Sequence, residues 1–346
     1  MSAAAYDVEL DDEPFDVDAV ENGAWFPGPY GPDDQRGTFN EVTPEKTARG
    51  LAMLDLTKPV RTYNLSETLH ADFPGLFGRN YEQTLSILGY EPPDGYGGIC
   101  VSSEPIGPWR VSTMEERVSM TYNMGTKING LHHVGLNGIF YNGFRGKDIA
   151  RDWGTTKLGN ETTGPIVTRG VLIDVVGHKR ATGQDADLVD PGNGKLILRD
   201  SYRITVEDIE ETLAAEGVAE PIGPGDVVLF RTGWREYIEL DPDKYLNGKR
   251  PGPHLRECRY LAVHRPAIIG IDIWYFGGPF EDMRGMLAHQ ELPMRFGVRV
   301  GEAVPTDMLA DDGVYEFVFC YNPQNARGAI SGSAPPIALG QPPASV

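Results

Sequence analysis

Short runs of apolar, β-branched residues punctuate the second half of the chain: Val171 to Val176 (VLIDVV), Val227 to Thr232 (VVLFRT) and Ala267 to Ile273 (AIIGIDI). Runs of this length bounded by turn formers predict buried strands. Between them the apolar spacing changes. Thr205 and Asp208 make a capping-box start, and Val206, Ile209 and Leu213 then share one helical face; His254 to His264 is helix-like too. Earlier, Thr43 precedes a helix with Pro44 at its first position and Glu45 in its first turn, and Arg61 to Leu65 predicts a strand. Later, Glu281 to His289 predicts a short helix, while Val298, Val300 and Glu302 alternate with Arg299 and Gly301, and Tyr315 to Tyr321 alternates likewise. The whole predicts an α/β fold: one domain with a mixed, barrel-like sheet and flanking helices, spanning residues 24–346 after an acidic arm at 1–23. Ser66 to Gly98 is a Gly/Pro/aromatic excursion, read as a loop or lid. Its Phe73, Phe77, Tyr81, Tyr90 and Tyr96 are candidates for an apolar wall over a ligand or for fastening the excursion to the body.

The pattern breaks most sharply at Ser119 to Phe144 (SMTYNMGTKINGLHHVGLNGIFYNGF). If Tyr122 to Asn129 is extended, Asn123, Gly125, Lys127 and Asn129 share one face. An amine and two carboxamides on one face are costly to bury unless they bind each other, water or a ligand. His132 and His133 follow, so the stretch reads either as a polar strand edge or as a strand and loop of an active site.

Composition narrows the partners. The formal net charge of −19 and pI near 4.8 argue against nucleic acid and anionic membrane surfaces, which attract basic patches. A small-molecule substrate is expected. Cys100, Cys258 and Cys320 are odd in number and widely spaced, which fits a reducing, cytoplasmic compartment and neither a disulfide framework nor a structural zinc. The N-terminus carries no basic-then-apolar signal pattern.

The central stretch resembles the motif of the cyclase family, the metal-dependent hydrolases that include kynurenine formamidase and isatin hydrolase, which reads His-x-Gly-Thr-His-x-Asp-x-Pro-x-His. Gly125, Thr126 and His133 match it, and Phe140 to Gly143 (FYNG) is similar to the family's run there. Asn123 and Lys127 stand where the family has its first two histidines, Asn129 where it has aspartate, and Leu131 where it has proline. The GDVVLFRTGW block at 225–234, the IGID at 269–272, the opening around Gly31 to Asn40 and the GAISGSAPPIAL tail are similar to family blocks as well. The resemblance implies a swivelling β/β/α fold, a homo-oligomer, a bound zinc or manganese, and hydrolysis of an amide or lactone of a small cyclic or aromatic molecule. It also implies that His289 and Glu302 are ligand-type residues.

Three readings follow. In one, His132, His133, His289 and Glu302 form a rearranged metal site that activates water. In another no metal is bound, and Lys127, with the amides of Asn123 and Asn129, stabilises a developing oxyanion or enolate while His133 moves a proton; this suits hydrolysis and also a lyase, dehydratase, isomerase or cyclase, with a Lys127 Schiff base as a variant. The third is a binding protein on the same scaffold. Candidate catalytic residues are Lys127, His133, His289 and Glu302; candidate substrate-binding residues are Asn123, Asn129, His132 and Trp274. The cofactor stays open between the family's Zn or Mn and none.

Overall fold

The apolar runs pair with one another at the centre of a nine-stranded sheet. The structure, a computed structural model, describes residues 6, 8–277, 284–332 and 335–343. In chain order the strands used below are β1 (Arg61–Asn64), the outlying β2 (Tyr81–Leu88), β3 (Ile99–Ser102) and β4 (Thr113–Met120), then β5 (Lys127–Asn129), β6 (Ile166–Asp174), β7 (Val227–Arg231), β8 (Ile268–Ile271), β9 (Arg299–Glu302), β10 (Glu316–Tyr321), β11 (Ser331–Gly332) and β12 (Ile337–Gly340). The main sheet runs β1-β12-β10-β6-β7-β8-β9-β5-β11, and its curl makes a half-barrel within one mixed α/β domain. Strands β6 to β9 are mutually parallel and their neighbours antiparallel. Parallel strands are covered on both faces, which is why they read as continuous apolar runs. Val228, Phe230, Ile269 and Ile271 enter one core cluster, whereas Val227, Leu229 and Ile268 enter the other.

Helices close the first of these faces. The helix Val206–Ala215 begins at the capping box read from the sequence: Thr205 accepts from the Asp208 amide, and Asp208 accepts from the Thr205 amide. Its buried Ile209 and the Cys258 and Leu261 of helix Leu255–Ala262 all join that cluster.

Three local expectations are corrected. Residues 121–126 are not strand; only Lys127–Asn129 pairs, because Gly125 takes a φ of +60°, incompatible with an extended run. The excursion is not a plain loop: β2 pairs antiparallel with β4 from Tyr81↔Met120 to Leu88↔Thr113 and parallel with β3. Such pairing depends on partners distant in sequence, which local propensity does not see. The apolar run at 171–176 is split, since Asp174 ends β6 and caps the helix Val175–Ala181, which carries His178, by accepting from the Gly177 amide.

The acidic N-terminal segment lies on the body. Asp11 pairs with Arg259 and Asp12 with Arg203, Phe15 stacks edge-on with Trp25, and Val20 is buried. The part of the expected 281–289 helix at 281–283 lies outside the described residues, as do 333 and 334 of the tail. Among the described residues no helix is long and apolar enough to cross a membrane. The three cysteines are unbonded.

Candidate active site

Two adjacent strand ends and one helix bring the ionisable residues together. Lys127 at the start of β5 lies opposite Glu302 at the end of β9 in the antiparallel register. Its Nζ is 3.1 Å from Glu302 Oε2 and donates to the Trp274 carbonyl at 2.7 Å. Asn129, two residues on and therefore on the same face, donates through Nδ2 to Glu302 Oε2 at 2.8 Å and toward His289 Nε2 at 3.3 Å, while its Oδ1 accepts from Ser331 at 3.0 Å. The Phe276 amide donates to Glu302 Oε1 at 2.7 Å. Glu302 thus receives N–H donors on both oxygens. Asp272, just after β8, accepts from the amides of Thr232 and Gly233 and from the Thr232 hydroxyl, tying the 272–276 turn that carries the Trp274 carbonyl and Phe276 amide to the end of β7.

His289, on the helix Arg284–Glu291, packs its ring 5.1 Å from Tyr275 and 5.8 Å from His133. Because the Asn129 amide donates to Nε2, that nitrogen accepts, and the His289 proton is assigned to Nδ1. Among the described residues Nδ1 is buried without a hydrogen-bond partner, 3.8 Å from Glu302 Oε1. His133 meets Asn123 through Nε2···Nδ2 at 3.0 Å, and among the described residues Asn123 Oδ1 is buried without a partner.

Burial sets the charge states. It would raise the Glu302 carboxyl, but the Lys127 ammonium, aided by His289, His133 and the Phe276 amide, draws it down to about 2. Burial lowers Lys127, with Glu302 opposing, and the two lie at ion-pair distance. His133 is pushed down to about 3 by burial and then by His289. Burial lowers His289 in the same way, so both imidazoles are neutral near pH 7.

A pocket of about 660 Å³ opens on this cluster, lined by Phe77, Phe140, Trp274, Tyr275 and Met286, with Asn123, His133, His289, Glu302 and Arg79 as its polar members. Of the excursion's aromatics, Phe77 stands largely exposed at the pocket rim, whereas Phe73 is buried in the core. The sequence marked Phe140 only as part of the FYNG run and did not mark Arg79 or Met286. An arginine directly after Gly78 in an aromatic-rich segment was the available signal for Arg79.

The remaining sequence candidates lie elsewhere. His132 faces away: its Nε2 is 3.0 Å from Thr155 Oγ1, and after burial its main perturbation comes from Arg299. The four-residue metal set of His132, His133, His289 and Glu302 is therefore not assembled, since adjacent residues of the turn send their rings in different directions. Lys127 and Asn129 are buried behind Glu302 and are not among the described lining residues. That placement does not favour a Schiff base, which needs an amine open to the ligand.

The donor set does not fit the zinc or manganese that the resemblance implies. A dication needs lone pairs, yet at this centre Lys127, Asn129 and the Phe276 amide all present hydrogens to the carboxylate, and an ammonium 3.1 Å from it already supplies the positive charge. Among the described residues no three His, Cys, Asp or Glu side chains are grouped to share a metal.

Comparison with known proteins places the scaffold. The family model described as "Putative cyclase" matches residues 36–277. A solved structure described as a novel cyclase superposes with a TM-score of 0.74 at 23% identity, covering 94% of this chain and 99% of its own. Isatin hydrolase A from Ralstonia solanacearum gives 0.56 at 18% identity over 85% of this chain and 95% of its own. Isatin hydrolase A from Labrenzia aggregata, bound to benzyl benzoate, gives 0.55 at 18% over 85% and 98%. No curated protein matches the sequence. With the matched model spanning well over half its length, the chain belongs to the cyclase family.

Proposed function

We propose that this chain is a hydrolase that cleaves an amide or lactone bond of a small aromatic molecule, and that it does so without a bound metal. The observation that carries the reading is the aromatic-walled pocket ending on two neutral histidines, of which His289 keeps Nδ1 without a partner among the described residues. The isatin hydrolase names of two structural neighbours agree with a cyclic amide on an aromatic ring as the substrate class.

In this reading the substrate ring lies against Trp274, Tyr275 and Phe140, with its carbonyl toward His289. Asn123 turned over, so that its presently unpartnered Oδ1 accepts from His133 Nε2–H, leaves His133 Nδ1 as a free base. Water attacks the carbonyl carbon as His133 takes one of its protons, and His289 Nδ1–H donates to the developing oxyanion. Collapse breaks the C–N or C–O bond, and His133 returns its proton to the leaving nitrogen or oxygen; the products are a carboxylic acid and an amine or alcohol. Lys127 is a positioning residue. It holds Glu302 ionised, and Glu302 with Asn129 holds the tautomer and orientation of His289.

The test is turnover of a panel of aryl amides, lactams and lactones by protein stripped of metal with a chelator, beside its elemental analysis. We expect hydrolysis of at least one member, unchanged on adding Zn²⁺ or Mn²⁺, and lowered about 100-fold or more in His133→Ala and His289→Ala, as for loss of a general base or an oxyanion donor. Activity that appears only with added metal overturns the metal-free mechanism. Tight binding of the panel without turnover of any member overturns the enzyme.

A further inference from the structure

The charges around the pocket do not balance, and the imbalance sits on one residue. Of its ionisable described lining groups, Tyr275, His133 and His289 are neutral, and the charge of Glu302 is matched by Lys127 at 3.1 Å. Arg79 is left. It is partly buried, and among the described residues its guanidinium makes no hydrogen bond and no ion pair, although it lies close enough to Glu302, His133 and His289 to perturb them electrostatically. The other arginine nearby, Arg250, is stacked over Trp274 at 4.9 Å and Tyr275 at 5.3 Å, behind the wall. A chain of net charge −19 therefore presents a locally cationic cavity. Guanidinium groups removed from water are normally paired, and a planar fork of donors matches a carboxylate in two parallel hydrogen bonds. Burial also draws Arg79 below its ordinary value, with Glu302 opposing.

We infer that the pocket selects an aromatic ligand bearing a carboxylate, and that Arg79 is the residue that binds this group beside the histidine pair. The inference rests on the pocket assignment made above and narrows its substrate class. It accounts for the combination of an apolar wall with, among the described lining residues, a single unmatched positive charge, which a neutral aromatic ligand would leave unsatisfied. It also gives the excursion that carries Phe77 and Arg79 a purpose in recognition, one side chain meeting the ring and the next but one the acid.

Calorimetric titration with 2-naphthoate and its neutral isostere 2-naphthamide tests this on the full chain. In the unmodified protein the carboxylate should bind about tenfold tighter or better, the usual worth of a hydrogen-bonded charge pair. In Arg79→Ala the two ligands should bind alike, with naphthamide affinity retained as the control that the pocket is intact; Arg79→Lys should keep part of the preference. Equal binding of the two ligands by the unmodified protein, or a preference that survives in Arg79→Ala, overturns the role of Arg79 while leaving the pocket assignment standing. Failure of the unmodified protein to bind either ligand overturns both.

Discussion

Lys127 shows how one side chain changes what a site can hold. An ammonium in a low-dielectric interior is tolerated only when its charge is met, and here Glu302 meets it while receiving Asn129 and the Phe276 amide as well. Lys127→Met would leave a buried, uncompensated carboxylate. We expect a loss of about 3–5 kcal/mol on urea unfolding, the usual cost of breaking a buried pair. Lys127→Met combined with Glu302→Gln should recover much of that loss, because the amide carries no charge. If the double variant instead loses the sum of the two single effects, the two side chains are not coupled as described. The sequence marked both residues by type and by family position; it did not indicate that they would be paired with each other, which depends on the register of β5 against β9.

At the scale of elements, the outcome turns on how helix and strand ends are fastened. The helix Val206–Ala215 was readable from its capping box, since that motif is local. Its far end was not. There Glu216 accepts from the Asp174 amide at 2.8 Å through Oε1, while Oε2 is buried without a partner. Burial, then the Asp174 charge, push the Glu216 carboxyl up to about 9 despite that amide. Folded Glu216 keeps a proton that the unfolded chain releases near its ordinary value of 4.5, so stability falls as pH rises from about 4.5 toward 9. Glu216→Gln should remove this term, and the variant should gain on the parent between pH 5 and 8, by no more than about 1.4 kcal/mol per pH unit. Urea midpoints at those two pH values measure it, and parallel pH trends for the two proteins would show that Glu216 does not titrate in that window. The central motif behaves similarly. A Cβ at Gly125 would lie 2.6 Å from Leu69 Cδ2, at a φ of +60°, so this glycine bends the chain out of the predicted strand and delivers Asn123 to the pocket by a turn.

For the whole molecule, the outlying sheet of β2, β3 and β4 carries an exposed apolar surface that includes Val101, Met114 and Val118, with Trp109 at 87% exposure beside it. The homo-oligomer expected from the family resemblance has a candidate contact there, since exposed apolar surface can mark association sites. Sedimentation should find more than one copy per particle, and Trp109→Glu with Val101→Glu should shift the protein toward the single chain; a monomeric parent would dispose of the idea. The chain on its own determined those features whose causes are local or periodic: the buried parallel strands, because covering on both faces demands uninterrupted apolar residues; the helix starts, because caps lie within four residues; and the family, because its blocks survive along most of the length. Only the tertiary structure decided which ionisable groups meet. His132 and His133 are adjacent in sequence yet part company, while Lys127 and Glu302, far apart in sequence, share a hydrogen-bonded centre. Arg79 reaches the pocket through β-pairing that spans a long excursion. Contacts of that kind depend on register, on the side chain's direction from its backbone and on loop closure, none of which is written in the spacing of residue types.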